Sequence, residues 1–122
     1  VGNTVWNADE AKMDAVTAIS GSGPASVFML IEALQQAANE QGLTPGQARQ
    51  LSIDTVLGAA KLASQSDEAA SVLRERVTSK GGTTEAALRT MAERGVKEGF
   101  VAGVLAANSR GRELGELLGK DG

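Results

Sequence analysis

Apolar residues recur three and four positions apart through almost the whole chain, and the period-two alternation of a half-buried strand is absent. Six helices are predicted. After an irregular stretch over Val1–Ala8, with Gly2-Asn3 as a turn and Val5-Trp6 packing onto the domain, Asp9 is expected to cap a helix over Glu10–Ile19. Met13, Val16, Thr17 and Ile19 are placed partly inward there, with Glu10, Lys12 and Asp14 outward. Gly21-Ser22-Gly23-Pro24 breaks that helix, and Pro24 suits the first turn of the next. The second runs from about Pro24 to Gln41. Val27, Phe28, Leu30, Ile31, Leu34 and Ala38 form its apolar face, and Gly42 is its expected C′ residue.

Thr44-Pro45 opens a third helix running to about Ser64, with an N-cap and a proline at its first position. Its middle, Leu51 to Ala63, is apolar around most of its circumference, leaving Asp54, Lys61 and Gln65 as a thin polar stripe. A helix of this kind is enclosed on several sides. One small chain cannot easily enclose it, so a partner subunit is expected to. Ser66 or Asp67 is expected to cap a fourth helix to about Val77, with Ala70, Leu73 and Val77 inward. A fifth covers Thr83–Arg94, with Ala87, Leu88 and Met91 inward, and Gly95 stops it. The last runs from about Lys97 to Leu118. The fold class is all-α.

Composition narrows what such a domain can do. The 122 residues suffice for one domain with a real core, and 42% are hydrophobic. Phe28, Phe100 and Trp6 are the only aromatics, so that core is aliphatic and small, and 15 glycines suit close helix approach. The net charge of −3 and the scattered basic residues argue against nucleic acid and against an anionic membrane surface. No apolar run approaches the roughly 18–20 residues of a transmembrane helix, and no signal peptide is legible. A cytoplasmic location is expected. The chain has no Cys, His or Tyr, which removes thiolates, the commonest general base and the commonest metal ligand, so no metal site is expected. Catalysis would rest on carboxylates, hydroxyls, lysine or backbone donors. No strand followed by Gly-x-Gly-x-x-Gly is present, so the chain carries no dinucleotide-binding fold of its own.

One stretch offers chemistry of the permitted kind. Val77-Thr78-Ser79-Lys80-Gly81-Gly82-Thr83-Thr84-Glu85 reads as two helices joined by a loop that ends in paired glycines and paired threonines. The glycines have no Cβ to hold a ligand away. The first free N–H groups of the following helix point back at them, and such an end attracts anions. Taken alone, a well-capped helix corner explains the same residues.

A second motif, Ile19-Ser20-Gly21-Ser22-Gly23-Pro24-Ala25, precedes the apolar third helix. The two motifs, in this order and separation, resemble the C-terminal domain of pyrroline-5-carboxylate reductase. Ile31-Glu32-Ala33-Leu34, Val56-Leu57-Gly58-Ala59-Ala60-Lys61 and Ala92-Glu93-Arg94-Gly95-Val96 fall where that family has similar segments. The resemblance covers roughly residues 2–114.

That resemblance implies an NADPH- or NADH-dependent reduction of Δ1-pyrroline-5-carboxylate to L-proline, the last step of proline biosynthesis. It implies an N-terminal Rossmann half that these 122 residues lack, so that this part alone is inactive. It also implies a helical domain that interlocks with a second copy as a homodimer, with further assembly in some members. Carried over, the substrate sits at Gly81-Gly82-Thr83-Thr84. Gly82, Thr83 and Thr84 supply N–H groups to its carboxylate, and the Thr84 hydroxyl serves the ring nitrogen. Val77, Ser79 and Asp67 line the same site. Gly21, Ser22, Gly23 and Pro24 form either a structural turn or a wall of the nicotinamide pocket. Lys80 stands where many members have proline, and Ser26 replaces a usual aromatic.

The residue types suit that chemistry. The imine carbon is electrophilic, a nicotinamide supplies the hydride, and the protein needs only to orient the ring and stabilise charge with fixed donors. Two other classes compete. One is a stand-alone helical dimerisation or small-carboxylate-binding module. The other is the helical domain of another Rossmann-linked reductase, such as the hydroxyacid dehydrogenases, with Lys61 as its catalytic lysine. Asp54 with Lys61 reads more simply as a buried or interfacial polar stripe.

Overall fold

A computed structural model describes residues 10–121 of the chain as helices and short connections. The expected Asp9 cap and the Val5-Trp6 packing lie outside the described residues. Six helices follow in order: α1 (Glu10–Ser20), α2 (Gly23–Glu40), α3 (Pro45–Ser64), α4 (Ala70–Arg76), α5 (Thr83–Glu93) and α6 (Val96–Asp121). No strand occurs among the described residues. The all-α expectation holds, with most boundaries within two residues.

The boundaries hold where local chemistry is strongest. At the start of α3 the Gln47 N–H donates to Thr44 Oγ1 at 3.2 Å, and the Thr44 N–H donates to Gln47 Oε1 at 3.0 Å. This is a complete capping box with Pro45 at the first helical position. At the end of α2, Gly42 takes φ +96°, and the Leu43 N–H reaches back to the Ala38 carbonyl at 3.1 Å. That bond closes the helix in the manner of a left-handed C-terminal cap. Gly95, at φ +67°, follows the last residues of α5 and ends that helix.

The start of α4 departs from expectation. Neither Ser66 nor Asp67 caps it; the N-cap is Ala69, which has no side chain to offer. The Ser66 hydroxyl instead accepts the Glu68 N–H at 3.1 Å, closing a small turn before the helix. A short polar side chain takes the first amide it can reach, and here that amide lies outside the helix.

The chain gathers into two compact units. In the first, formed by the described residues 10–27 and 95–121, α1 packs on α6. Ala18 is its buried residue, at 3% exposure. Ala107 and Gly111 of α6, with Asp14, Thr17, Ser22 and Arg110, border a cavity of about 480 Å3. The second unit, Phe28–Arg94, holds most of α2 with α3, α4 and α5. Its buried residues are Ala48 and Ser52.

Neither unit buries a large side chain among the described residues. Phe28 and Ile19 are each 65% exposed, and Leu57, in the middle of α3, is 63% exposed. The expected inward set is therefore only partly covered. Met13, Val16, Leu73 and Leu88 are half-buried, while Thr17, Ile19, Ala70, Val77, Ala87 and Met91 are exposed. Helical periodicity identifies the apolar face of a helix but not what covers it. The stretch Glu10–Glu40 also reaches a mean hydropathy of 1.2 over 18 residues, enough by length and composition alone for a membrane span. The sequence expectation of no such run is corrected to that extent. The Gly21-Ser22 turn divides this stretch into the separate helices α1 and α2.

Candidate functional site

The loop between α4 and α5 is built by three successive local bonds. Leaving α4, the Thr78 N–H donates to the Glu75 carbonyl at 3.1 Å, and the Thr78 hydroxyl donates to the Arg74 carbonyl at 2.6 Å. Ser79-Lys80-Gly81-Gly82 then forms a tight turn, closed by the Gly82 N–H on the Ser79 carbonyl at 3.0 Å. Gly81 is its third residue and takes φ +77°, a left-handed value that favours glycine. Gly82 is different: its φ of −92° and ψ of −174° are open to any residue. Its requirement is space, because a Cβ there would stand 3.2 Å from the Ser79 carbonyl oxygen.

Gly82 is the N-cap of α5, and no side chain caps the helix. The Ala86 N–H closes the first helical turn on the Gly82 carbonyl at 3.2 Å. No hydrogen bond of the described residues uses the N–H of Thr83, Thr84 or Glu85. Three amide donors thus remain at the positive end of an 11-residue helix. Open amides at a helix start are of the kind that can hold an anion. Two further amides nearby are already engaged. The Gly82 N–H belongs to the turn, and the Gly81 N–H donates to Glu85 Oε1 at 3.2 Å. Of the expected donors Gly82, Thr83 and Thr84, the Gly82 N–H is engaged in the turn, and the Glu85 N–H is open beside those of Thr83 and Thr84.

Thr84, Gly82 and Glu85 are half-buried, whereas Ser79, Lys80, Gly81 and Thr83 are exposed. Val77, at the C-cap of α4, is also exposed, at 62%. Asp67 lies before the other end of α4, a seven-residue helix about 10 Å long. Its neighbour Glu68 pairs with Arg76 at 2.9 Å across the length of that helix. No hydrogen bond or ion pair of the described residues joins Asp67 to the glycine loop. The role of Glu85 as an acceptor is the feature sequence reasoning missed; a glutamate three residues after a helix N-cap is the signal that marks it.

The other motif lies in the first unit. The Gly21 N–H donates to the Thr17 carbonyl at 2.8 Å, and a Cβ on Gly21 would meet that same oxygen at 2.8 Å. Glycine is required there by backbone contact. Gly23 and Pro24 border an open, apolar cavity of about 620 Å3 with Ile19, Val27, Phe100 and Val104, while Ser22 borders the separate cavity beside α6. An apolar wall of this kind fits one face of a flat ring. Nothing in the described residues offers the glycine-rich strand–turn–helix that holds a dinucleotide's phosphates. Lys61 is exposed on α3, and Asp54 accepts a hydrogen bond from Gln50 at 3.0 Å.

Comparison with known proteins covers almost the whole chain. A family model described as pyrroline-5-carboxylate reductase dimerisation matches residues 10–114. The pyrroline-5-carboxylate reductase of Pseudomonas aeruginosa is 44% identical over 120 residues, which is 98% of this chain and 44% of that protein. The Haemophilus influenzae protein of the same name is 43% identical over 119 residues, 97% of this chain and 44% of that protein. The chain thus spans less than half the length of these curated relatives. Among solved structures, Plasmodium falciparum pyrroline carboxylate reductase with NADP bound superposes with a TM-score of 0.84 at 31% identity. The match covers 88% of this chain and 43% of that one. A pyrroline-5-carboxylate reductase from Coxiella burnetii superposes at 0.83 with 42% identity, over 88% of this chain and 40% of that one.

Proposed function

The chain belongs to the pyrroline-5-carboxylate reductase dimerisation family, and on that premise we propose that it is the substrate-binding and dimer-forming part of a reductase that converts 1-pyrroline-5-carboxylate to L-proline. The observation that carries the reading is the unfilled set of amides at Thr83, Thr84 and Glu85, next to a glycine N-cap that leaves them open.

The substrate's carboxylate takes the Thr83, Thr84 and Glu85 amides, where the helix dipole favours a negative charge. These donors are fixed by the turn and the helix, so little reorganisation accompanies binding or reaction. Gly82 contributes by its missing side chain, and Gly81 by the left-handed turn. With the carboxylate held, the Thr84 hydroxyl serves the ring nitrogen, which becomes an amine as the imine carbon is reduced. Orientation of this sort is worth on the order of several kcal/mol. NADPH or NADH, held mainly by residues outside this chain, supplies the hydride. Gly23 and Pro24 fit one wall of a nicotinamide ring, with Gly21 and Ser22 shaping the turn beside it. Val77, Ser79 and Asp67 line the substrate side, and no metal takes part.

A second copy covers the apolar faces, interlocking with the first to make a homodimer. The support is the thinness of each unit's own core: Ala18 in one, Ala48 and Ser52 in the other. We place the reaction in the cytoplasm, where a cysteine-free, mildly acidic chain has no need of disulfides. The test is the complete protein that carries this segment. Consumption of NADPH or NADH on addition of 1-pyrroline-5-carboxylate is expected. Absence of that activity, together with no binding of L-proline, would overturn the assignment.

A further inference from the structure

We propose that Glu85 is a positioning residue of this site: its carboxylate holds the Gly81-Gly82 turn so that the Thr83 and Thr84 amides stay open to the substrate. The inference rests on the carboxylate site read above at the start of α5. In a complete capping box, the N-cap hydroxyl fills an N–H of the first turn while the glutamate at the third helical position reaches back to the backbone. The start of α3 has both arms, in Thr44 and Gln47. The start of α5 has only a displaced form of the second arm, on the residue before the N-cap rather than on the N-cap itself. Glu85 occupies the third helical position and reaches back to the Gly81 N–H at 3.2 Å, but the N-cap is Gly82 and has no hydroxyl to return. The loop is therefore tied down without using up the donors that the ligand needs.

A tether is required at this place. Two consecutive glycines lose more conformational freedom on ordering than any other pair. Apart from Glu85, among the described residues the turn is closed only by the Gly82–Ser79 bond. Without an acceptor for the Gly81 N–H the pair regains freedom, and the substrate must order it on binding. Substrate, transition state and product all carry the same carboxylate. The loss therefore falls on binding in every state, raising KM and leaving kcat in place. The charge of Glu85 acts in the opposite sense, because it stands at the same helix end as the incoming anion. The tether and the charge are separable. Glu85→Gln keeps an oxygen for the Gly81 N–H and removes the charge; Glu85→Ala removes both.

The experiment uses the complete protein carrying this segment, with 1-pyrroline-5-carboxylate as substrate and L-proline as the binding probe. Glu85→Ala is expected to raise KM and the Kd for L-proline by about three- to tenfold, the scale of one lost hydrogen bond, with kcat within about twofold. Glu85→Gln is expected to bind L-proline at least as tightly as the unaltered protein. Amide exchange at Gly81 should quicken in the Ala variant and not in the Gln variant. An Ala variant that binds like the unaltered protein overturns the proposal. So does a Gln variant as weak as the Ala variant, or a fall in kcat at constant KM. An unaltered protein that neither binds L-proline nor reduces the imine overturns the carboxylate site itself, which separates the two failures.

Discussion

The Ser79 carbonyl oxygen accepts the Gly82 N–H at 3.0 Å and lies 3.2 Å from where a Cβ on Gly82 would stand. One atom thus both closes the turn and crowds any side chain at the helix start. Gly82→Val adds a branched side chain where that distance is already tight, immediately before the open amides. L-proline binding by the complete protein is expected to disappear, while helical circular dichroism stays as it was. Titration calorimetry beside a far-ultraviolet spectrum checks both, and tight binding by the variant would mean that the loop is only a corner.

Thr84 is half-buried and combines a free amide with a hydroxyl. Thr84→Ala keeps the amide and removes the hydroxyl. Turnover of the imine should fall by about 10- to 100-fold, as for one lost hydrogen bond to developing charge. The Kd for L-proline should change less, because the carboxylate donors remain. Steady-state kinetics on the complete protein measures the first quantity, and unchanged turnover would remove Thr84 from the mechanism.

Within a single copy of the chain, Leu57 on α3 is 63% exposed and Leu51 53% exposed. An ordinary surface substitution changes stability by about 0.5 kcal/mol or less. If a second copy covers α3, Leu57→Asp should instead dissociate or unfold the assembly. Light scattering of the 122-residue chain at micromolar concentration is expected to give twice its 12.5 kDa mass. A stable folded monomer would contradict the dimer.

The capping box of α3 gives a control away from the site. Thr44→Ala removes one arm of the box and should cost about 1 kcal/mol. The effect should appear in thermal or urea unfolding, with imine reduction unaffected.

Local rules made most of this molecule legible in advance. Thr44-Pro45, Gly42 and Gly95 mark helix ends because capping and left-handed backbone involve only a few neighbouring residues. The start of α4 misled because the Ser66 hydroxyl takes the Glu68 N–H ahead of the helix, and residue type alone does not say which amide such a hydroxyl takes. The glycine-threonine segment was legible as a helix start whose first amides lack helical partners. Its exact donors were not, since only the folded loop assigns the Gly82 N–H to Ser79 and the Gly81 N–H to Glu85.

By itself, then, the sequence determined the helices, their apolar faces and the chemistry that remains to a chain without Cys, His or Tyr. Those follow from short-range periodicity and from residue type. Tertiary structure decided which amides at the start of α5 stay open and which side chains one copy leaves uncovered. Both depend on how hydrogen-bond donors and apolar surface are shared out in three dimensions, and no local pattern encodes that division.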